Sequence, residues 1–316
     1  MKEVDPNDPN LVLSPLADPV VGAIFASAEV AGLASKSIID ATLKAENELP
    51  LAGKIIRVTP QYTHPSPLHR GCRLDVDIET DLNEFARYEV QISPELHIME
   101  RNLFSAARLF TQNSKKGDTS AEMAAKMPKV IYINLLGYIL RKSNNDMVQP
   151  FKIMYTKPPH EVAIENFGGY NIQLPKVLEM DENFDDDLYC WCYALYTAHV
   201  EKRTVREVIA MTAGLQAFAE RDAGFQQFNE RYEHVAADPK ARQEYADWFN
   251  ESLRQQGMID YMEREVRDEY ERKLAESERR HKEDKEQLIK NMKRKGMSIE
   301  DIAEMTGLSV EEIENI

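Results

Sequence analysis

The strongest constraint on the fold is a strict alternation of apolar and charged residues in two neighbouring segments, 73–79 and 87–92. In the first, RLDVDIE, every second residue is aliphatic and the others are acidic after the opening arginine; in the second, RYEVQI, tyrosine, valine and isoleucine alternate with polar residues. A period of two is typical of a strand with one buried face. The residues between them, TDLNE, favour a turn. The sequence therefore predicts a β-hairpin.

The register of this hairpin is predicted to bring two acids together. A turn centred on Leu82 places Asp75 directly across from Glu89, because facing residues are equally distant from the turn. Their Cβ atoms would lie about 4.5–5.5 Å apart. Two carboxylates at that distance repel each other, and a divalent cation between them removes the repulsion.

The chemistry of the predicted site favours Mg²⁺ or Mn²⁺, since hard cations prefer oxygen ligands and keep several waters. Gln91 follows on the same strand face and could hold a water or a phosphate oxygen, but a neutral amide is no general base. Asp77 is a competing ligand. The alternative interpretation is a polar face in water, on which Asp77 pairs with Arg87 and Arg73 lies across from Gln91.

Hydrophobic periodicity predicts the remaining strands and helices. An N-terminal helical region from Asp18 to about Glu46 is expected to break near Glu29–Gly32, and a helix is expected after Ser93. The other predicted elements are strands at 54–62, 128–140, 151–156 and 171–174, followed by helices at 187–200, 204–220, 221–235 and 239–255.

The C-terminal region is predicted to be entirely helical and to contain two special segments. Residues 257–295 read as one long charged helix with a thin apolar seam, which is either solvated or a coiled coil that joins copies of the chain. Residues 296–316 read as a helix-turn-helix-like pair, although the second helix offers glutamates where a DNA reader needs Arg, Asn or Gln. We expect an organisation into 15–178, 179–256, 257–295 and 296–316.

Composition excludes several classes of protein. The net charge of −15 argues against a broad basic surface for nucleic acid, so any DNA contact must be local. Three cysteines are too few for a disulfide framework and lack zinc-site spacing. No run of eighteen apolar residues and no signal-peptide pattern is present, so we expect a cytoplasmic protein without a membrane span.

The order of these elements resembles the PD-(D/E)XK nuclease superfamily, and in particular its Rpn (recombination-promoting nuclease, or transposase-like) branch. In that branch glutamine replaces the lysine of the last motif, as in Glu89-Val90-Gln91 here. The similarity covers about residues 15–316. Further matching stretches are ADPVVGAIFASAE, RLDV, MERNLFSAARLF, PKVIYINLL, IQLPKV and KRKGMSIEDIAEMTGLSVEEIE.

This resemblance implies an α/β fold with a mixed sheet, in which a restriction-endonuclease-like core is followed by an all-helical C-terminal extension. It also implies a Mg²⁺- or Mn²⁺-dependent DNA endonuclease that acts in recombination or on mobile or phage DNA. It implies that Asp75 and Glu89 are metal ligands, that the carbonyl of Val90 is a further ligand, and that Gln91 takes the place of the catalytic lysine. Glu29 and Arg101 match an acid and an arginine of the family.

Two other functions remain open. The chain could be a decayed nuclease that presents its helical tail to partners, as its acidity and the missing lysine suggest. It could also be a regulator that binds DNA through residues 298–315.

Overall fold

The computed structural model describes residues 2–62, 74–92, 94, 97–111, 115–140 and 146–316. Its strands are β1 (Ile55–Tyr62), β2 (Leu74–Thr80), β3 (Glu84–Gln91), β4 (Lys129–Leu136), β5 (Val148–Met154) and β6 (Val162–Gln173). They form one mixed sheet in the order β1-β2-β3-β4-β6-β5. β2 pairs antiparallel with β1 and β3, β4 pairs parallel with β3 and β6, and β5 pairs antiparallel with β6. The predicted α/β fold with a mixed sheet is confirmed.

Helices precede, interrupt and follow the strands along the chain. Those in the described residues are α1 (Asp18–Phe25), α2 (Ala28–Ala45), α3 (Ile98–Thr111), α4 (Ser120–Lys126), α5 (Asp187–Glu201), α6 (Val205–Ile209), α7 (Ala213–Arg221), α8 (Ala223–Ala237), α9 (Pro239–Arg294), α10 (Ile299–Thr306) and α11 (Val310–Glu314). A short 3-10 helix, Leu174–Leu178, leads out of β6. The region after the sheet is helical, as the sequence predicts.

The two faces of the sheet are covered by different helices. One face joins the main core, to which α1, α2, α5 and α8 contribute, and alternate residues of β2, β3 and β4 such as Ile78, Tyr88 and Ile133 lie in it. The other face carries a small cluster in which Ala106 of α3 packs with Tyr132. Because β3 and β4 are parallel, the chain between them must cross over, and α3 and α4 lie in that crossover.

Helix boundaries depart from the prediction where side chains cap the backbone. The predicted helix 204–220 is two helices, because the Thr212 side chain accepts a hydrogen bond from the N–H of Leu215 and starts α7 anew. The N-terminal break lies at Ala26–Ser27 rather than at 29–32. α4 is absent from the prediction, although Thr119 and Glu122 form a capping box that the sequence displays.

Other boundaries differ because local patterns were misleading. The helices predicted at 239–255 and 257–295 are one continuous helix, α9, in which Gly257 costs about 1 kcal/mol of helix propensity without ending it. β6 begins nine residues before the predicted NIQL strand, since Gly168 and Gly169 interrupt the apolar pattern. Ser93, predicted as the cap of α3, lies outside the described residues.

The chain divides by its internal contacts into two units, residues 1–250 and 251–316. The C-terminal unit has its own small core, in which Ile289, Ile302 and Ile313 are buried. Gly307 ends α10 with a positive φ of 68°, a conformation that favours glycine. Among the described residues, no single helix is both long enough and apolar enough to cross a membrane. The helical segments Asp18–Phe25 and Val30–Ala45, which are bent against each other, reach the required length and apolar character only when they are counted together.

A close crossing of α2 and α8 gives a stability prediction. A Cβ atom added at Gly224 would lie 2.5 Å from the carbonyl oxygen of Leu33 and 2.6 Å from Cβ of Ser37. Gly224→Ala should therefore lower the free energy of unfolding by about 1–3 kcal/mol, as overpacked sites do. The matched control is Gly32→Ala in α2, because no described atom lies within 4 Å of its added Cβ.

The control should raise the free energy of unfolding by about 0.5–1 kcal/mol, which is the ordinary gain of alanine over glycine in a helix. Urea-induced unfolding followed by circular dichroism measures both variants. Equal effects of the two substitutions would contradict the close crossing of α2 and α8.

Candidate active site

The hairpin of β2 and β3 has the register that the sequence predicts. Asp75 lies directly opposite Glu89, and Asp77 lies directly opposite Arg87. The turn at residues 81–83 includes Asn83 at φ 59°, a left-handed conformation that asparagine tolerates. The structure describes Asp75 by its backbone only, and Arg73 lies outside the described residues.

Glu89 is a buried acid held by an arginine from the helix above. Its exposure is 1%, which is exceptional for a carboxyl group. Nη2 of Arg101 in α3 forms an ion pair with Oε1 of Glu89. The family resemblance singled out Arg101, and the fold brings it to the acid. The positive charge beside Glu89 compensates part of the cost of burying a carboxylate.

Asp77 has a different environment from the acid pair, which is Asp75 and Glu89. Nε of Arg87 donates to its Oδ1 at 2.6 Å and Nη2 donates to its Oδ2 at 2.8 Å, which is a bidentate ion pair. The guanidinium carbon also lies 5.8 Å from the centroid of the Tyr132 ring. Arg87 thus binds both carboxylate oxygens of Asp77. The alternative interpretation of this strand face, a polar surface in water, predicts this ion pair.

The acid pair belongs to a row of polar residues that crosses the whole sheet. The strand registers align one polar residue from each strand, so that neighbours in the row lie on adjacent strands. In sheet order, the members of this polar row are Gln61, Asp75, Glu89, Asn134, Asn171 and Gln149. The last four are buried. Burial of polar groups is costly unless partners compensate it, so the environment of each buried member of the row matters.

The inner part of the polar row is tied together by hydrogen bonds. Nδ2 of Asn134 donates to Oδ1 of Asn171 at 2.8 Å, and Nδ2 of Asn171 donates to the sulfur of Met99 in α3 at 3.5 Å. Neither asparagine was predicted as a site residue from the sequence. The available signal was a single polar residue inside the apolar strand VIYINLL.

The other predicted site residues lie on β3 and at the start of α2. Gln91 is buried at 7% exposure and lies two residues after Glu89, hence on the same face of β3. The side chain of Val90 lies in the main core on the opposite face, and its carbonyl remains a predicted ligand. Glu29 lies in the first turn of α2, and its side chain lies outside the described residues.

The donor chemistry of this region fits a hard divalent cation. Among the described side chains, no group of three or more His, Cys, Asp or Glu residues could hold a metal ion. On β3, Glu89 lies directly across from Asp75 and carries a carboxylate, and Gln91, two residues further along the same strand, carries an amide oxygen. Oxygen donors with few charges suit Mg²⁺ or Mn²⁺, which bind one or two carboxylates and retain waters.

The cysteines of α5 have the properties of core residues. Cys190 and Cys192 are free and buried. Burial raises the pKa of Cys190 to about 12, and it raises the pKa of Cys192 as well. A thiol ligates zinc only as a thiolate, so this environment disfavours zinc binding. Cys72 lies outside the described residues.

The sheet, its two helical layers and the helices that follow constitute an α/β PD-(D/E)XK fold with a helical C-terminal region. Residues 36–262 match the family model described as PD-(D/E)XK nuclease family transposase, and the chain belongs to this family. Asp75, Glu89, Gln91 and Arg101 lie inside the matched residues, whereas Glu29 lies outside them. No curated protein and no solved structure matches the chain.

Proposed function

We propose that this protein is a DNA endonuclease that hydrolyses phosphodiester bonds with a Mg²⁺ or Mn²⁺ ion held by Asp75 and Glu89. The observation that carries the proposal is the facing register of these two acids, with Glu89 buried beneath α3. A stable sheet avoids two facing carboxylates unless something positive lies between them. Membership of a nuclease family makes a catalytic cation the natural reason for this arrangement.

The bound cation would supply Lewis-acid polarisation of the phosphate and a water of lowered pKa. The chain itself supplies the remaining functions. Glu89 and Asp75 fix the position of the positive charge, and Gln91 orients a water or a phosphate oxygen through its amide. Because a neutral amide cannot take up a proton at neutral pH, Gln91 cannot replace lysine as a base.

Arg101 adds a second positive group at the same place. Its guanidinium lies against Glu89, and its planar fork of N–H donors matches the geometry of phosphate oxygens. We propose that Arg101 binds the phosphate of the substrate when the cation occupies Glu89. DNA would then be held by a few local charges, which agrees with the net charge of −15.

A cleavage assay tests this function. The purified full chain is incubated with supercoiled plasmid DNA and MgCl₂ or MnCl₂, and products are separated on agarose gels. We expect nicked and linear DNA with either ion and intact plasmid when EDTA is present. Absence of cleavage with both ions, or cleavage that resists EDTA, would refute the proposal.

A second candidate function is an interaction protein built on a decayed nuclease fold. The observation that favours it is a stripe of exposed apolar residues along α9, four residues apart: Met258, Met262, Val266, Tyr270 and Leu274. Such a stripe suits contact with another helix, including one from a second copy of the chain. This candidate would gain support if the chain neither cut DNA nor bound a cation through Glu89.

The family of this chain is one of nuclease-type transposases, which suggests the process in which cleavage is used. We propose that cleavage serves the recombination or movement of DNA segments, including DNA from mobile elements or phage. A plasmid-based recombination assay with active and inactive chains addresses this setting separately from the chemistry.

A further inference from the structure

Two buried amides lie in the gap between α3 and the sheet. Asn134 of the polar row is 0% exposed and Asn102 of α3 is 1% exposed. Among the described residues, no donor reaches Oδ1 of Asn134 and no acceptor receives Nδ2 of Asn102. Buried amides in native proteins are nearly always satisfied, so each of these two groups calls for a bound partner.

Asn102 faces the sheet. Ile98, Asn102 and Ala106 are all buried and are spaced four residues apart, so they share one face of α3. Ala106 packs in the cluster that contains Tyr132, which fixes this face as the one turned to the sheet. The amide of Asn102 therefore points into the same gap as the side chains of the polar row.

Two neighbours of Asn102 locate it along the polar row. Arg101 pairs with Glu89, and Met99 accepts a hydrogen bond from Asn171. Asn134 lies between these two row members, with Glu89 on one adjacent strand and Asn171 on the other. α3 thus contacts the polar row on both sides of Asn134. This position of the helix brings the amide of Asn102 over Asn134.

We propose that Asn134 and Asn102 are positioning residues that hold a water of the cation's hydration shell beside Glu89. This inference rests on the proposed function. One water can donate to Oδ1 of Asn134 and accept from Nδ2 of Asn102, which satisfies both amides. Mg²⁺ and Mn²⁺ keep several waters when few carboxylates bind them, and Asn171 fixes the orientation of Asn134 through its hydrogen bond.

Titration calorimetry with Mn²⁺ on the full chain tests the inference without requiring catalysis. Asn134→Leu replaces the amide with an apolar side chain of the same branching and should weaken Mn²⁺ binding by about 10-fold or more, as the loss of groups that orient metal ligands does. The matched control is Gln149→Leu, which also removes a buried amide from the polar row. Gln149 lies three strands from Glu89, or about 14 Å, so its loss should leave the affinity unchanged.

A conservative variant separates positioning from packing. Asn134→Asp keeps an oxygen on the side chain but loses the hydrogen bond that Asn134 donates to Asn171. Its added negative charge attracts the cation and should outweigh that loss, so the variant should bind Mn²⁺ as tightly as the wild type or more tightly. If Asn134→Leu fails to fold by circular dichroism, the aspartate variant decides, because weaker Mn²⁺ binding in a folded Asn134→Asp protein overturns the inference. Asn102→Leu should weaken Mn²⁺ binding in the same direction as Asn134→Leu.

The proposed function and this inference fail in different ways. A wild-type protein that binds no Mn²⁺ refutes both of them. Loss of Mn²⁺ binding in Glu89→Gln together with wild-type affinity in Asn134→Leu refutes the positioning role alone. That result would assign the two amides to a structural water unrelated to the cation.

Discussion

Replacing Glu89 with glutamine is expected to reduce cation-dependent DNA cleavage on the order of a thousandfold, or ~4 kcal/mol of transition-state stabilisation. The substitution removes the negative charge but keeps the size and an oxygen that can still accept from Arg101. The fold should therefore survive, although Glu89 is only 1% exposed. Initial rates of plasmid nicking at saturating Mg²⁺ measure the effect, and circular dichroism verifies the fold.

The control for this prediction is another acid on the same face of the hairpin. Glu79 lies on β2 outside the polar row, where it pairs with the exposed Arg57. Glu79→Gln should leave the nicking rate unchanged because no cation is proposed there. Equal losses in both variants would mean that general acidity of the hairpin, rather than the cation site, supports cleavage. Full activity in Glu89→Gln would refute the catalytic assignment.

Replacing Arg101 with methionine is expected to make the stability of the protein depend strongly on the cation. Removing one member of a buried ion pair typically costs about 3–5 kcal/mol, since the other charge stays buried and loses the opposite charge beside it. Glu89 is nearly fully buried in this ion pair. A cation at Glu89 would restore the missing positive charge, so Mn²⁺ should stabilise the variant more than it stabilises the wild type.

Thermal unfolding with and without Mn²⁺ measures this effect. Without the ion the melting temperature of Arg101→Met should fall by several degrees, because about 1 kcal/mol corresponds to roughly 2–4 °C in a domain of this size. Added Mn²⁺ should raise it by more than in the wild type. Arg108→Met, an exposed position on α3, should show the wild-type response. An identical response in Arg101→Met would show that no cation replaces the arginine at Glu89.

The hairpin was predictable because its determinants are local. Alternation defines two strands, the turn residues define their centre, and these together fix which residues face each other. For that reason the pairs Asp75–Glu89 and Asp77–Arg87 follow from sequence spacing and agree with the observed register. The amphipathic pattern of α3 is equally local, although its exact start was not predictable.

The surroundings of the hairpin were less predictable because they depend on contacts between distant segments. The ion pair of Arg101 with Glu89 requires the position of α3 over the sheet, which no local pattern encodes. The polar row needs the parallel registers of β3, β4 and β6, so Asn134 and Asn171 could not be grouped with Glu89 from spacing. The family resemblance alone pointed to Arg101, and it gave no reason to select the asparagines.

Crystals of the full chain grown with Mn²⁺, and analysed by anomalous scattering, test the central assignment most directly. We expect one anomalous peak between the carboxylates of Asp75 and Glu89, with waters completing the coordination shell. A map without a peak at this position, or with the carboxylate of Asp75 directed to the other face of the sheet, would contradict it.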